Sequence, residues 1–113
     1  MKIKSSATLV YALALVSGVA LASGEKVTIN SPHDGAAFKS TDTVELMYEA
    51  QPGTDGDHLH LYLDEKRIDV IRPLKGTASV GMLMPGKHHI CLTVNTKGHA
   101  PTGAEACIDV TAQ

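Results

Sequence analysis

The chain has 113 residues, a net charge of −2 with neutral histidines, and 43% hydrophobic side chains, including one phenylalanine, three tyrosines and no tryptophan. That balance lacks the basic stripe that a phosphate backbone requires, so nucleic acid is not an expected partner. The length allows one small core, which buries only ~60–65% of the unfolded surface.

Residues 1–22 read as a secretory signal peptide. Lys2 and Lys4 give the charged start, Ala7 to Ala20 is a short apolar run, and Ala20-Leu21-Ala22 fits the small-x-small cleavage rule. The run falls short of the ~20 residues that cross a bilayer and contains Ser17 and Gly18, so no membrane span is expected in the mature form. Removing 22 of 113 residues leaves 91, residues 23–113, as a single domain expected in the periplasm. Lys2 and Lys4 leave with the signal, so eight basic side chains face twelve acidic ones. All six histidines remain.

Lys26 to Asn30 reads as a first strand, followed by turn chemistry at Ser31-Pro32-His33-Asp34-Gly35. Thr43 to Ala50 is a second strand with Val44, Leu46 and Tyr48 on one face. After a loop from Gln51 to Asp57, His58 to Leu63 alternates polar residues with leucine, the period of a half-buried strand. A hairpin turn is expected near Asp64-Glu65-Lys66, then a short strand from Arg67 to Ile71. Gly76 to Met84 is the fifth strand, with Ala78, Val80 and Met82 facing one way. Lys87 to Asn95 is the sixth, with Ile90, Leu92 and Val94 inward and His89, Cys91 and Thr93 outward. A loop from Thr96 to Gly103 leads to a last strand from Ala104 to Thr111, with Ala106, Ile108 and Val110 inward. About seven short strands, turns every 8–12 residues and no helix predict an all-β chain: a single immunoglobulin-like antiparallel β-sandwich.

His58 and His60 share one strand face, roughly 6.5–7 Å apart. Two imidazoles at that spacing can lean together and grip one ion; the other reading is a pair of solvated histidines on an outer sheet face. Copper or zinc suits imidazole. A usable site needs a third ligand. His99 lies in the loop between the last two strands, at the same end of such a sandwich as the start of the H-x-H strand. His89, with outward parity, is a fourth candidate. Asp57 is placed to hydrogen-bond an imidazole and orient it. His88 is expected to be partly buried and bonded to backbone, and His33 to be solvated. Met82 and Met84 read as thioether ligands or as apolar filler.

Cys91 and Cys107 fall on the outward parity of two strands whose hairpin would centre near His99, so they stand opposite one another. An exported protein meets oxidising conditions, which favours a disulfide across the fifteen intervening residues. A thiolate pair that binds soft metal or cycles redox state is the other reading. Ser31, Ser40 and Ser79 lack a nucleophile-elbow context, and Asp57 and Asp64 do not form an acid/base couple. No enzymatic activity is expected.

The strings I-N-S-P-H-D-G-A at Ile29 to Ala36, D-G-D-H-L-H-L-Y-L-D at Asp55 to Asp64, P-G-K-H at Pro85 to His88 and G-H-A-P at Gly98 to Pro101 resemble small bacterial periplasmic Ig-like domains with a strand H-x-H and a late H-x-P. The resemblance implies an exported sandwich and no particular activity. The S-P-x-D-G-A opening at Ser31 to Ala36 and the late H-x-x-x-G at His99 to Gly103 are also similar to CopC-type periplasmic copper carriers. That family's two other ligand positions fall here on Ser23 and Lys97, so His58 and His60 would stand in for them. The expectation is a periplasmic domain that binds a divalent metal, copper first, through His58, His60 and His99 as carrier, buffer or accessory factor. The alternative is a metal-free accessory module of the cell envelope with a protein partner and a structural disulfide.

Overall fold

Period-2 alternation builds strands only: the computed structural model describes residues 24–113 as eight strands with no helix among them, and the signal peptide read over 1–22 lies outside the described residues. The strands are β1 (Lys26–Ser31), β2 (Ala37–Phe38), β3 (Thr43–Gln51), β4 (His58–Leu63), β5 (Lys66–Ile71), β6 (Lys75–Met82), β7 (Gly86–Asn95) and β8 (Pro101–Ala112). They form two sheets, ordered β1-β3-β6 and β2-β8-β7-β4-β5. This is the expected β-sandwich, with β2 as an addition. That strand is two residues long and pairs in parallel with Thr111 and Ala112, too short for any periodicity to announce it.

The core forms where the inner faces meet. Val44, Leu46 and Tyr48 of β3 share one buried cluster with Leu59 and Leu61 of β4, Ile90, Leu92 and Val94 of β7, and Ile108 and Val110 of β8. Each such fully buried aliphatic side chain contributes roughly 1.5–3 kcal/mol relative to exposure. Buried Tyr48 donates its hydroxyl to the Pro73 carbonyl at 2.8 Å, which ties the smaller sheet to the segment leaving β5.

Two expectations change. Met82 does not face inward: it is 67% exposed, and buried Leu83 takes the core position. The β3–β6 register shifts between Val44 and Glu45, so one extra residue sits on β6 beside Gly81. Such a bulge reverses the inward–outward parity beyond it. The last strand also begins earlier than expected, at Pro101, because its pairing with β7 continues to Asn95 past a second shift.

The β4–β5 hairpin turns on Asp64 and Glu65, both with positive φ (51° and 72°), the pattern of a two-residue turn matched to strand twist. Asp64 fastens this turn to β7. Its Oδ1 accepts the His89 amide at 2.8 Å, and its Oδ2 accepts from His88 Nδ1 at 2.6 Å. The other nitrogen of His88 donates to the Met84 carbonyl at 2.6 Å. A neutral imidazole donates from one nitrogen only, so two acceptors on one ring require the imidazolium. The Asp64 bond, then the Met84 carbonyl, raise the His88 pKa above 6.5. Burial works to raise Asp64, but its bonds to His89 and His88 outweigh it and hold the carboxyl below 3.8.

The sign of the pH dependence follows. His88, raised, contributes in full below its unfolded value of 6.5 and loses that contribution as pH rises through its folded pKa. Asp64, lowered, contributes above 3.8 and loses it as pH falls through its folded pKa. Denaturant unfolding of the wild type and of His88→Gln should therefore differ most below the unfolded value of 6.5 and converge as pH rises through the folded pKa of His88. A gap that widens with rising pH would contradict the charged His88.

Candidate metal centre

The site grows from both faces of β4 being covered at its start. Leu59 and Leu61 enter the core, and on the opposite face His58 and His60 are 0% and 2% exposed. The parity is as read from the sequence, but the histidine face is not solvated. The β7–β8 loop closes over it. His58 stands opposite Asn95 and His60 opposite Thr93, so the end of β7 carries the chain straight to the histidine pair.

The loop from Thr96 to Ala100 is held by its own polar groups. The Thr96 amide donates to the Ala100 carbonyl (2.7 Å), the His99 amide to the Thr96 carbonyl (2.8 Å) and the Ala100 amide to Thr96 Oγ1 (3.1 Å). Beneath it lies Asn95, 1% exposed. Asn95 Nδ2 donates to the His99 carbonyl at 3.3 Å, and its Oδ1 accepts from Thr93 Oγ1 at 2.6 Å. His99 itself sits at φ 69°, the left-handed region that non-glycine residues enter only when their surroundings hold them there.

On the other side the approach to His58 is equally fixed. The Asp57 amide donates to the Asn95 carbonyl at 2.8 Å. Gly56 packs so closely that a Cβ there would overlap the Pro52 carbonyl and lie 2.6 Å from Val94 Cγ1. Asp57 Oδ2 accepts from His58 Nδ1 at 2.9 Å and from Arg72 Nη1 at 3.1 Å. The His58 hydrogen bond lowers the Asp57 pKa, so the carboxylate stays ionised. It accepts the Nδ1–H of His58 and so leaves the Nε2 lone pair facing inward.

Three nitrogens then converge. His58 Nε2, His60 Nε2 and His99 Nδ1 are each 3.1 Å from the other two. Burial, followed by the neighbouring His58, lowers the His60 pKa below 6.5 and favours a neutral ring. An ion ~2.0–2.1 Å from three nitrogens sets them about 3.3–3.4 Å apart in a tetrahedral shell and about 2.9 Å apart on an octahedral face. The observed edge lies between these values. A tetragonal, T-shaped set would instead hold one pair at about 4 Å. The group can hold a metal ion as a three-point cap, with His58 and His60 buried and His99 exposed.

The remaining candidates fall elsewhere. His89, the fourth candidate, lies apart from the three nitrogens. Its strand pairs with β4, but antiparallel register puts Asn95 beside His58 and places His89 near the far, Leu63 end. There its Nδ1 meets Asp109 Oδ1 at 2.7 Å. His33 is exposed in the turn after β1. Met82 and Met84 are exposed beside the start of β7, at the end opposite the three nitrogens. Cys91 and Cys107 are directly opposed and joined by a disulfide, which removes them as thiolate ligands. Sequence reading missed Asn95, Thr96, Gly56 and Arg72; the run N-T-K-G at Asn95 to Gly98 is the turn chemistry that marked a constrained loop.

The chain matches no protein-family model and no curated protein in sequence. Among solved structures it is similar to the fibronectin(III)-like modules of Clostridium thermocellum CbhA, with 11% identity over 77% of this chain and 96% of that one and a TM-score of 0.66. An engineered protein matches with 18% identity over 89% of this chain and 21% of its own, at a TM-score of 0.54. A Jonesia denitrificans lytic polysaccharide monooxygenase matches with 18% identity over 74% and 60%, at a TM-score of 0.45. These likenesses show the fold alone: an Ig-like, fibronectin III-like sandwich. A monooxygenase, an enzyme, is thus among the similar structures, and the expectation that the chain is not an enzyme is withdrawn. At that similarity it assigns no activity here. Among the described residues no helix is long and apolar enough to cross a membrane.

Asn95→Ala should cost about 1–3 kcal/mol, because the His99 carbonyl and the Thr93 hydroxyl lose their partner inside the fold. Denaturant unfolding with the disulfide intact measures it, and a loss below about 0.5 kcal/mol would mean that Asn95 does not hold the loop.

Proposed function

We propose that this chain is an exported periplasmic domain that binds one divalent metal ion, zinc or copper, through His58, His60 and His99. The observation that carries the reading is the equal-sided triangle of ring nitrogens at 3.1 Å. Lone pairs aimed at one another at that distance repel unless a cation or a shared proton lies among them. Asp57 fixes the His58 tautomer, as carboxylates commonly do for metal-binding imidazoles. The equal edges suit Zn(II) with little movement, whereas tetragonal Cu(II) would need one edge widened to about 4 Å. Copper still binds nitrogen ligands more tightly in general, so both ions belong in the test.

Calorimetric titration of the exported protein at neutral pH should give one tight equivalent. It should vanish in the His58→Ala, His60→Ala double variant and weaken about 10–100-fold in Asp57→Asn. The ligands must be neutral, so affinity should fall below roughly pH 6. Tight binding retained by the double variant would sink the assignment. No binding of either ion would leave a metal-free interaction module of the cell envelope.

A further inference from the structure

A second group of reactive side chains lies on the same sheet face, toward the end of β4 away from the three nitrogens. β7 and β8 pair so that His89 faces Asp109 and Cys91 faces Cys107. His89 Nδ1 is 2.7 Å from Asp109 Oδ1, and its Nε2 is 3.2 Å from Cys91 Sγ. A carboxylate, an imidazole and a half-cystine therefore stand in line. The two sulfurs differ in setting: Cys91 is 7% exposed, whereas Cys107 is exposed. Tyr62, Glu65, His89, Cys91, Thr93 and Glu105 line a cavity of about 360 Å³ beside the bridge. Asp109 first, with Glu65 and Glu105, raises the His89 pKa and so favours its imidazolium. A bridge that serves stability alone has no use for an oriented imidazole on one sulfur.

We propose that the Cys91–Cys107 disulfide exchanges with external dithiols, with Cys107 as the sulfur attacked and Cys91 as the leaving group that His89 stabilises. An incoming thiolate bonds to Cys107 Sγ, the Cys91–Cys107 bond breaks, and its electron pair departs on Cys91. His89 Nε2–H meets that thiolate and supplies its proton, while Asp109 keeps hold of Nδ1–H. The second thiol of the partner, as thiolate, then attacks its own sulfur in the mixed disulfide. Cys107 leaves with the electron pair and takes a proton. The partner ends as a disulfide and the protein as two thiols. Exchange rates rise as the leaving thiol becomes more acidic, which is the effect an adjacent imidazolium has. The acidic surroundings at Asp109, Glu65 and Glu105 select against anionic thiols and toward neutral or basic dithiol peptides.

The test follows reduction of the exported, oxidised protein by dithiothreitol at neutral pH, with alkylation and mass spectrometry at each time point. His89→Gln should be reduced about five- to ten-fold more slowly at an unchanged unfolding midpoint. Brief exposure to a limiting neutral monothiol should place the mixed disulfide on Cys107. Reduction of His89→Gln within about two-fold of wild type, or adducts on Cys91, would overturn the proposal. Should His89→Gln fail to fold, the adduct position in the wild type decides alone. No metal is present in either measurement, so the result stands apart from the three-histidine reading.

Discussion

Leu59 and Leu61 reach the core because β4 pairs with β7 in one register, Leu59 opposite Val94 and Leu61 opposite Leu92. The same register sets His58 opposite Asn95, at the mouth of the loop that carries His99, and Tyr62 opposite Cys91. A slip of one residue would turn both leucines toward the outer face and both histidines into the core. Loss of the burial of these two leucines alone opposes that slip by about 3–6 kcal/mol. The apolar side of the strand therefore holds the polar side in place, and the three nitrogens inherit their spacing from the packing of the core.

Three of the histidines divide by what the backbone puts beside them. His60 is buried among rings and kept neutral. His88 and His89 each meet a carboxylate, Asp64 and Asp109, which favours the charged form. One chain thus keeps an electron-pair donor at one end of a sheet and proton donors toward the other, using burial for the first and acidic partners for the second.

Much of this architecture could be read from period and turn chemistry. The alternation runs through His58 to Leu63 and through His89 to Asn95, and hairpin symmetry about His99 brings Cys91 to Cys107. What escaped the sequence has physical causes. The bulge beside Gly81 changes parity without a break in hydrophobicity, so Met82 reads as core when Leu83 is. Phe38 joins a strand too short to have a period. The histidine face reads as open because its cover is a loop, and Asn95 and Thr96 act through hydrogen bonds that composition does not encode. His89 reads as a neighbour of the cluster until antiparallel direction is fixed, and then it lies at the wrong end of its strand.

Donors forty-one and thirty-nine residues apart along the chain meet at His99. The β7–β8 hairpin that carries His99 forms from near neighbours in sequence, whereas β4 must close a longer loop to dock against it. The triangle of nitrogens is complete only once that docking has occurred. Any ligand that needs all three nitrogens binds the assembled sheet and not its precursors, so during maturation its capture would report that the slower pairing is finished.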